Sequence, residues 1–158
     1  MNDRLPMTPK GFGMLKDELK RLKSVDRPEN IQDIEEALAH GDLSETAEYH
    51  AAMDKKAHID ARIRFVDDRI ARAQVIDPKS QTGDKVLFGA TVVLCDNDSD
   101  EKVTYTLVGD DESDVKNGLL SYSSPVGRAL IGKEETDEVT VKIPKGTRVY
   151  EVLEVRFE

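Results

Sequence analysis

Two narrow stripes of apolar residues, separated by one short turn, constrain the fold of this chain more than any other feature. The stripes comprise Phe12, Leu15, Leu19, Leu22, Ile31, Ile34 and Leu38 before the turn, and Ile59, Ile63, Val66, Ile70 and Ala73 after it. Spacings of three and four, with about two apolar residues per heptad, are typical of a coiled-coil seam. Because the turn at His40–Ser44 is short, we expect two antiparallel helical arms.

Two prolines give further detail to the first arm. Thr8 followed by Pro9 predicts a helix start, since a hydroxyl cap and a proline at the first helical position both suit free backbone donors. Pro28 lies between the two halves of the first stripe and lacks a backbone N–H. We therefore expect the helix to kink there or a second helical segment to begin.

The second half of the chain changes its hydrophobic period from helical to extended. Segments rich in β-branched residues and bounded by turn-forming residues predict strands at Val86–Cys95, Val103–Val108, Val139–Ile143 and Arg148–Val155. Ser124 and Pro125 predict the start of one short helix. The fold class is therefore α+β, with an antiparallel coiled-coil hairpin in residues 1–77 and an antiparallel sheet with a short helix in residues 78–158.

Composition and charge exclude several functions. The net charge of −9 disfavours tight, nonspecific binding to naked nucleic acid and favours a protein partner with basic surfaces. The longest nearly apolar segment is too short to span a bilayer, and the first residues lack the layout of a secretion signal. The lone Cys95 cannot form an internal disulfide. These features indicate a cytoplasmic protein without a membrane partner.

Most of the chain offers little chemistry. The acidic segment Val108–Asp114 lacks the ligand spacing of a calcium loop, so we interpret it as a solvated loop. The three histidines all lie in the first half, and His50 and His58 without a third ligand make a weak zinc site. The second half then serves best as a docking module.

Asp42 and Glu45 in the turn have two compatible interpretations. Asp42 can cap the second arm while Glu45, three residues later, closes a capping box. Alternatively, two carboxylates one helical turn apart can coordinate a hard cation, and Mg²⁺ suits them because it retains water and phosphate oxygens as its other ligands. Such an exposed pair has no pocket of its own and could act only inside a partner's active site. The residues alone leave both interpretations open.

Longer motifs carry a resemblance to a known family. The chain resembles the Gre transcript-cleavage factors of bacteria over nearly its whole length, and the GreA type more than GreB. The motifs, in order, are PMTPKGFGMLKDELKRL, HGDLSETAEYHAA, AQVID, VLFGATV, YTLVGDDESD and SPVGRALIGKEETDEV.

The resemblance implies a fold, a partner and a mechanism. The second domain would be similar in fold to FK506-binding proteins and would dock at the mouth of the secondary channel of RNA polymerase, through Ser123, Ser124, Pro125 and Arg128. The coiled coil would enter that channel, where Asp42 and Glu45 would help hold a Mg²⁺ shared with the polymerase site. The polymerase would then hydrolyse the extruded 3′ end of backtracked nascent RNA. The factor would be a monomer, no enzyme itself, with no metal bound in its free form.

The chain also departs from the family pattern. Thr46 stands where Asn is usual and Ser44 where many relatives carry Lys, while Leu38 and Met53 stand where GreA-type proteins often carry Arg. Two other classes of function are alternatives to transcript cleavage. One is a regulator that binds the same channel and inhibits or modulates polymerase without cleavage. The other is a coiled-coil scaffold with no catalytic role.

Overall fold

A computed structural model describes residues 3–39 and 47–157. The described chain forms two compact units, a hairpin unit of Phe12–Arg72 and a sheet unit that combines Asp3–Gly11 with residues 73–157. In the sheet unit, strand β1 (Leu5–Met7) pairs in parallel with β2 (Ala73–Val75) as a separate two-stranded sheet.

The first arm of the hairpin is a helix with one widened turn. Helix α1 (Pro9–Arg21) is followed by a π turn at Leu22–Asp26 and then by α2 (Arg27–Ala39). In the π turn the Arg27 N–H donates to the carbonyl of Leu22, five residues back. Pro28 has no N–H for the carbonyl four residues before it, and the wider turn accommodates this loss without ending the helix.

The two arms run antiparallel, as predicted. Helix α3 (Ala47–Ala71) forms the second arm. Arg62 donates to the Glu18 carboxylate at 2.8 Å, and the Asn30 amide donates to the Ala52 carbonyl at 2.9 Å, so residue numbers fall on one arm as they rise on the other. The buried apolar residues of this seam are Leu15, Leu22, Ala37, Ala52, Ile59, Ile63 and Val66.

The seam differs from the predicted stripe after the π turn. Ile31 and Leu38 are 47% and 53% exposed, whereas Asn30 and Ala37 are buried. The buried positions of the first arm, Leu15, Leu22, Asn30 and Ala37, are thus seven, eight and seven residues apart. The one extra residue falls in the π turn, which moves every later seam position forward by one. The prediction of Ile31 and Leu38 as seam residues was therefore wrong.

The sheet unit is a mixed five-stranded sheet with one short helix. The strands are β3 (Thr91–Asp96), β4 (Lys102–Val108), β5 (Leu119–Ser121), β6 (Glu138–Ile143) and β7 (Gly146–Arg156), in the spatial order β5-β4-β3-β7-β6. Within this five-stranded sheet of the described residues, β4 and β5 pair in parallel and the other three neighbouring pairs are antiparallel. Helix α4 (Pro125–Leu130) contacts β6. The core residues are Val86, Ala90, Val92, Leu94, Leu107, Leu120, Leu130, Val139, Val141 and Val152.

The α+β fold class is confirmed, with two changes of detail. The predicted strand Val86–Cys95 is a strand only from Thr91, although Val86 and Ala90 before it are fully buried. The three-residue strands β1, β2 and β5 were not predicted, and β5 makes the sheet mixed rather than purely antiparallel. Such short segments carry too few alternating residues to be recognised from their period.

A nearly buried carboxylate holds the β3–β4 turn. Asp96 is 8% exposed, and its carboxylate accepts hydrogen bonds from the Asp98 backbone N–H at 2.9 Å and from Arg148 at 3.0 Å. The Asp98 N–H is the main cause that lowers the pKa of Asp96 below its ordinary value, and Arg148 adds to it. The sequence analysis did not predict this contact between the β3–β4 turn and Arg148 in β7.

Asp96 should make the sheet unit sensitive to acid. Because its folded pKa lies below the unfolded value of about 3.9, its contribution to stability is present above that value and is lost as the pH falls through the folded pKa. We expect Asp96→Asn to lose less unfolding free energy than the wild type between pH 6 and pH 3. Urea unfolding at both pH values measures this difference, with Asp98→Asn as a control in the same turn. An equal loss in Asp96→Asn and wild type would contradict the assignment.

Candidate functional site

The two predicted tip acids, Asp42 and Glu45, lie outside the described residues. The structure describes the arms on either side, with α2 ending at Ala39 and the described part of α3 beginning at Ala47. The seven residues 40–46 thus join two antiparallel arms in the sequence. The capping and metal-binding roles of Asp42 and Glu45 both stay predictions.

The end of the hairpin nearest this connection is narrow and acidic. Its seam there consists of alanines, and a shallow groove of about 520 Å³ lies along the arms. The residues lining the groove are Asp33, Glu36, Ala37, Glu48, Ala51, Ala52 and Lys55. Small seam residues bring two helices close together but bury little apolar surface. The described arms are therefore slim near this end of the hairpin, and their groove is shallow.

Other polar and apolar side chains of this region face solvent. His50 and His58 are exposed, as predicted, and the His50 ring contacts Tyr49 edge-on at 6.0 Å between centroids. Leu38 and Met53 are 53% and 37% exposed. Within residues 3–39 and 47–157, no cluster of three His, Cys, Asp or Glu side chains is arranged to hold a metal ion.

The predicted docking residues of the sheet unit form one ordered loop. The Ser124 hydroxyl caps α4 by accepting from the Gly127 N–H at 3.0 Å, and it donates to the Ser121 carbonyl at 2.7 Å. Pro125 follows as the first residue of α4. A Cβ atom on Gly127 would lie 2.3 Å from the Ser121 carbonyl oxygen, so only glycine permits this close approach. The cap predicted at Ser124 is confirmed.

Asp110 makes contacts within the predicted docking loop that sequence reasoning missed. Its carboxylate accepts hydrogen bonds from the hydroxyls of both Ser121 and Ser123, which lie 11 and 13 residues later. The acidic segment Val108–Asp114 was interpreted as a solvated loop, and Asp110 is exposed in agreement with this, but its two serine contacts were not predicted. A run of acidic residues does not by itself predict which side chains will donate hydrogen bonds to it. The only signal in the sequence was the serine-rich segment that begins at the end of β5.

Glu112 in the same segment also has a structural role. Its carboxylate accepts from the backbone N–H groups of Thr8, at 3.0 Å, and Gly109, at 3.2 Å, and from the Thr8 hydroxyl. Thr8 in turn caps α1 by accepting from the Gly11 N–H at 3.1 Å. In an ordinary capping box the third helical residue supplies the carboxylate. Here that residue is Gly11, and Glu112 supplies the carboxylate from 104 residues away.

Comparisons with known proteins agree across the chain. Residues 5–75 match the family described as Transcription elongation factor, N-terminal, and residues 80–157 match Transcription elongation factor, GreA/GreB, C-term. Transcription elongation factor GreA of Syntrophotalea carbinolica is 51% identical, with 99% of each chain covered. The GreA of Hyphomonas neptunium is 54% identical, with 99% of each covered, and that of Thermodesulfovibrio yellowstonii is 52% identical, with 100% of each covered.

Among solved structures, that of the transcription factor Gfh1 aligns with 98% of this chain and 99% of its own, at 28% identity and a TM-score of 0.47. The two matched domains, in this order, define a transcription elongation factor. The chain belongs to the GreA/GreB family, which confirms the resemblance seen in its motifs. In the described part of the chain, no helix is both long and apolar enough to cross a membrane.

Proposed function

We propose that this elongation factor binds RNA polymerase, inserts the end of its hairpin into the secondary channel and stimulates the polymerase's own hydrolysis of backtracked nascent RNA. The family, together with relatives that are about half identical over their full length and are named GreA, supports this function. The factor itself is a monomer in the cytoplasm and supplies no nuclease. The factor contacts the RNA 3′ end only inside the polymerase.

The hairpin unit is the observation that carries the proposal. Two antiparallel arms with an alanine-lined seam near their end lead to seven connecting residues that contain Asp42 and Glu45. A scaffold helix pair would gain stability from large apolar residues at this end. The slim arms instead suit a part that enters a narrow channel and carries two carboxylates to its end.

The donor set of Asp42 and Glu45 fits a magnesium ion shared with polymerase. Mg²⁺ demands octahedral oxygen coordination and is commonly bound by one or two carboxylates plus water and phosphate oxygens. Two protein carboxylates leave the remaining positions to polymerase and RNA. A second metal ion at such a site activates a water and stabilises charge on a phosphodiester. In this proposal Asp42 and Glu45 would hold and orient the ion, and its other ligands would come from polymerase, RNA and water.

The sheet unit docks at the rim of the channel in this proposal. Ser123, Ser124, Pro125 and Arg128 are held in one loop and helix start, and Arg128 is exposed. A rigid loop loses little conformational freedom on binding, which favours docking through it.

A cleavage assay with the wild-type protein tests the proposed function. A polymerase complex stalled in a backtracked register, with RNA labelled at its 5′ end, is incubated with the factor and Mg²⁺. We expect the RNA to shorten by release of its 3′ end at a rate far above that of polymerase alone. If the factor binds polymerase and the RNA never shortens, the protein is a channel-binding regulator. If it does not bind polymerase at all, the scaffold function remains.

A further inference from the structure

One guanidinium on the proposed docking surface is held in a fixed direction. The Arg128 Nε–H donates to the Ser123 carbonyl at 2.6 Å, while the side chain as a whole is exposed. Among the described residues, no other side-chain hydrogen bond or ion pair involves Arg128. Its terminal Nη groups are therefore oriented by the protein and leave their donors available to a partner.

The Ser123 carbonyl, which accepts the hydrogen bond from Arg128, lies in a segment fixed by hydrogen bonds of its own. The Ser123 N–H donates to the Ser121 hydroxyl at 3.2 Å, and the two serine hydroxyls lie 3.0 Å apart. Both hydroxyls donate to the carboxylate of Asp110. Asp110 therefore anchors the segment whose carbonyl fixes the direction of Arg128.

We propose that Arg128 binds a carboxylate of RNA polymerase through its Nη groups, and that Asp110 is the residue that positions it, acting through Ser121 and Ser123. This inference rests on the proposed docking of the sheet unit on polymerase. A planar guanidinium matches a carboxylate with two parallel hydrogen bonds, and its fixed orientation reduces the entropy lost on binding.

The charge of the chain favours a protein carboxylate over a nucleic-acid phosphate. With a net charge of −9 and the acids Asp110 and Asp111 in the neighbouring segment, a polyanion would be repelled. A single carboxylate on a protein surface carries less charge and fits beside these acids. Asp110 itself accepts hydrogen bonds from the hydroxyls of Ser121 and Ser123.

Binding to core RNA polymerase free of nucleic acid tests the role of Arg128. We expect Arg128→Ala to raise Kd by about 30-fold or more, the effect of truncating one partner of a hydrogen-bonded charge pair that an interface buries. Arg128→Lys should restore little, because an ammonium group cannot make the paired contact. Arg4→Ala is the matched control, since Arg4 is exposed in the same sheet unit and the charge change is identical; its Kd should stay within about twofold of wild type.

A double-mutant cycle tests the positioning role of Asp110. Asp110→Ala should weaken binding several-fold in the wild-type background and add little in the Arg128→Ala background, because Asp110 acts through Arg128. Asp110→Asn keeps an acceptor oxygen for the serine hydroxyls and should retain near wild-type affinity. Additive effects of Asp110→Ala and Arg128→Ala, with both variants folded by circular dichroism, would show that Asp110 does not act through Arg128.

The outcomes separate this inference from the function on which it rests. If the wild type does not bind core polymerase, the proposed function fails. If the wild type binds and Arg128→Ala binds equally well, the carboxylate contact is wrong while the function stands. If Arg128→Ala weakens binding only to complexes that contain nucleic acid, Arg128 contacts a phosphate, which also overturns the inference.

Discussion

Asp42→Asn should abolish stimulated RNA cleavage while leaving polymerase binding intact. The substitution removes one of the two charges that would hold the shared Mg²⁺, and metal stabilisation of transition-state charge amounts to several kcal/mol. We therefore expect the cleavage rate in a backtracked complex to fall by roughly 100-fold or more. Single-turnover cleavage at saturating factor measures this effect apart from binding.

The design of this experiment separates the metal role from the capping role. Asn caps a helix about as well as Asp, so Asp42→Asn should change the melting temperature little even if residue 42 is the cap. Asp54→Asn is a matched control, because Asp54 is an exposed carboxylate further along α3. Glu45→Gln should resemble Asp42→Asn. Normal cleavage by Asp42→Asn would eliminate the metal role of the pair.

Gly11→Ala should destabilise the sheet unit by roughly 2–3 kcal/mol, the sum of a lost helix cap and of hydrogen bonds to a charged group. A Cβ atom on residue 11 would lie 2.1 Å from the Glu112 carboxyl carbon. The Glu112 side chain would have to move, and it would lose its bonds to Thr8 and Gly109. The helix-forming preference of alanine does not offset this loss.

Gly13 offers a matched control on the same helix. A Cβ atom on Gly13 would meet no atom within 4 Å, so Gly13→Ala should stabilise the protein by about 1 kcal/mol through helix propensity alone. In a Glu112→Ala background, Gly11→Ala should destabilise the protein much less, because the Glu112 side chain that the new Cβ atom would meet is then absent. Chemical denaturation of the four variants measures these differences. If Gly11→Ala were as stable as Gly13→Ala, the role of Glu112 as a capping carboxylate would be wrong.

Local patterns in the sequence predicted much of the fold. The start of α1 at Thr8 and Pro9, and of α4 at Ser124 and Pro125, followed from capping chemistry that acts within three or four residues. Antiparallel arms followed from a short turn between two apolar stripes. The four longer strands followed from alternating β-branched residues, although the first of them begins five residues later than predicted.

The candidate site was predicted less completely. The resemblance pointed to Ser123, Ser124, Pro125 and Arg128, whose conformation the structure describes, and to Asp42 and Glu45, which lie outside the described residues. Asp110 was assigned no role, because its two serine partners belong to a segment that folds back beside it only when β5 pairs in parallel with β4.

The sequence by itself determined the features whose physical cause lies within a few residues along the chain. These are the helix starts, most helix faces, the turns and the longer strands. What only the tertiary structure decided was the seam of the second half of the first arm and the partners of the acidic loop. The π turn adds one residue, so that Asn30 and Ala37 lie in the seam instead of residues 29 and 36, the continuation of Leu15 and Leu22 by sevens. Glu112 meets Thr8 across 104 residues. Hydrophobic period and capping propensity report short-range sterics, whereas a register shift and a distant hydrogen-bond partner depend on which surfaces pack together.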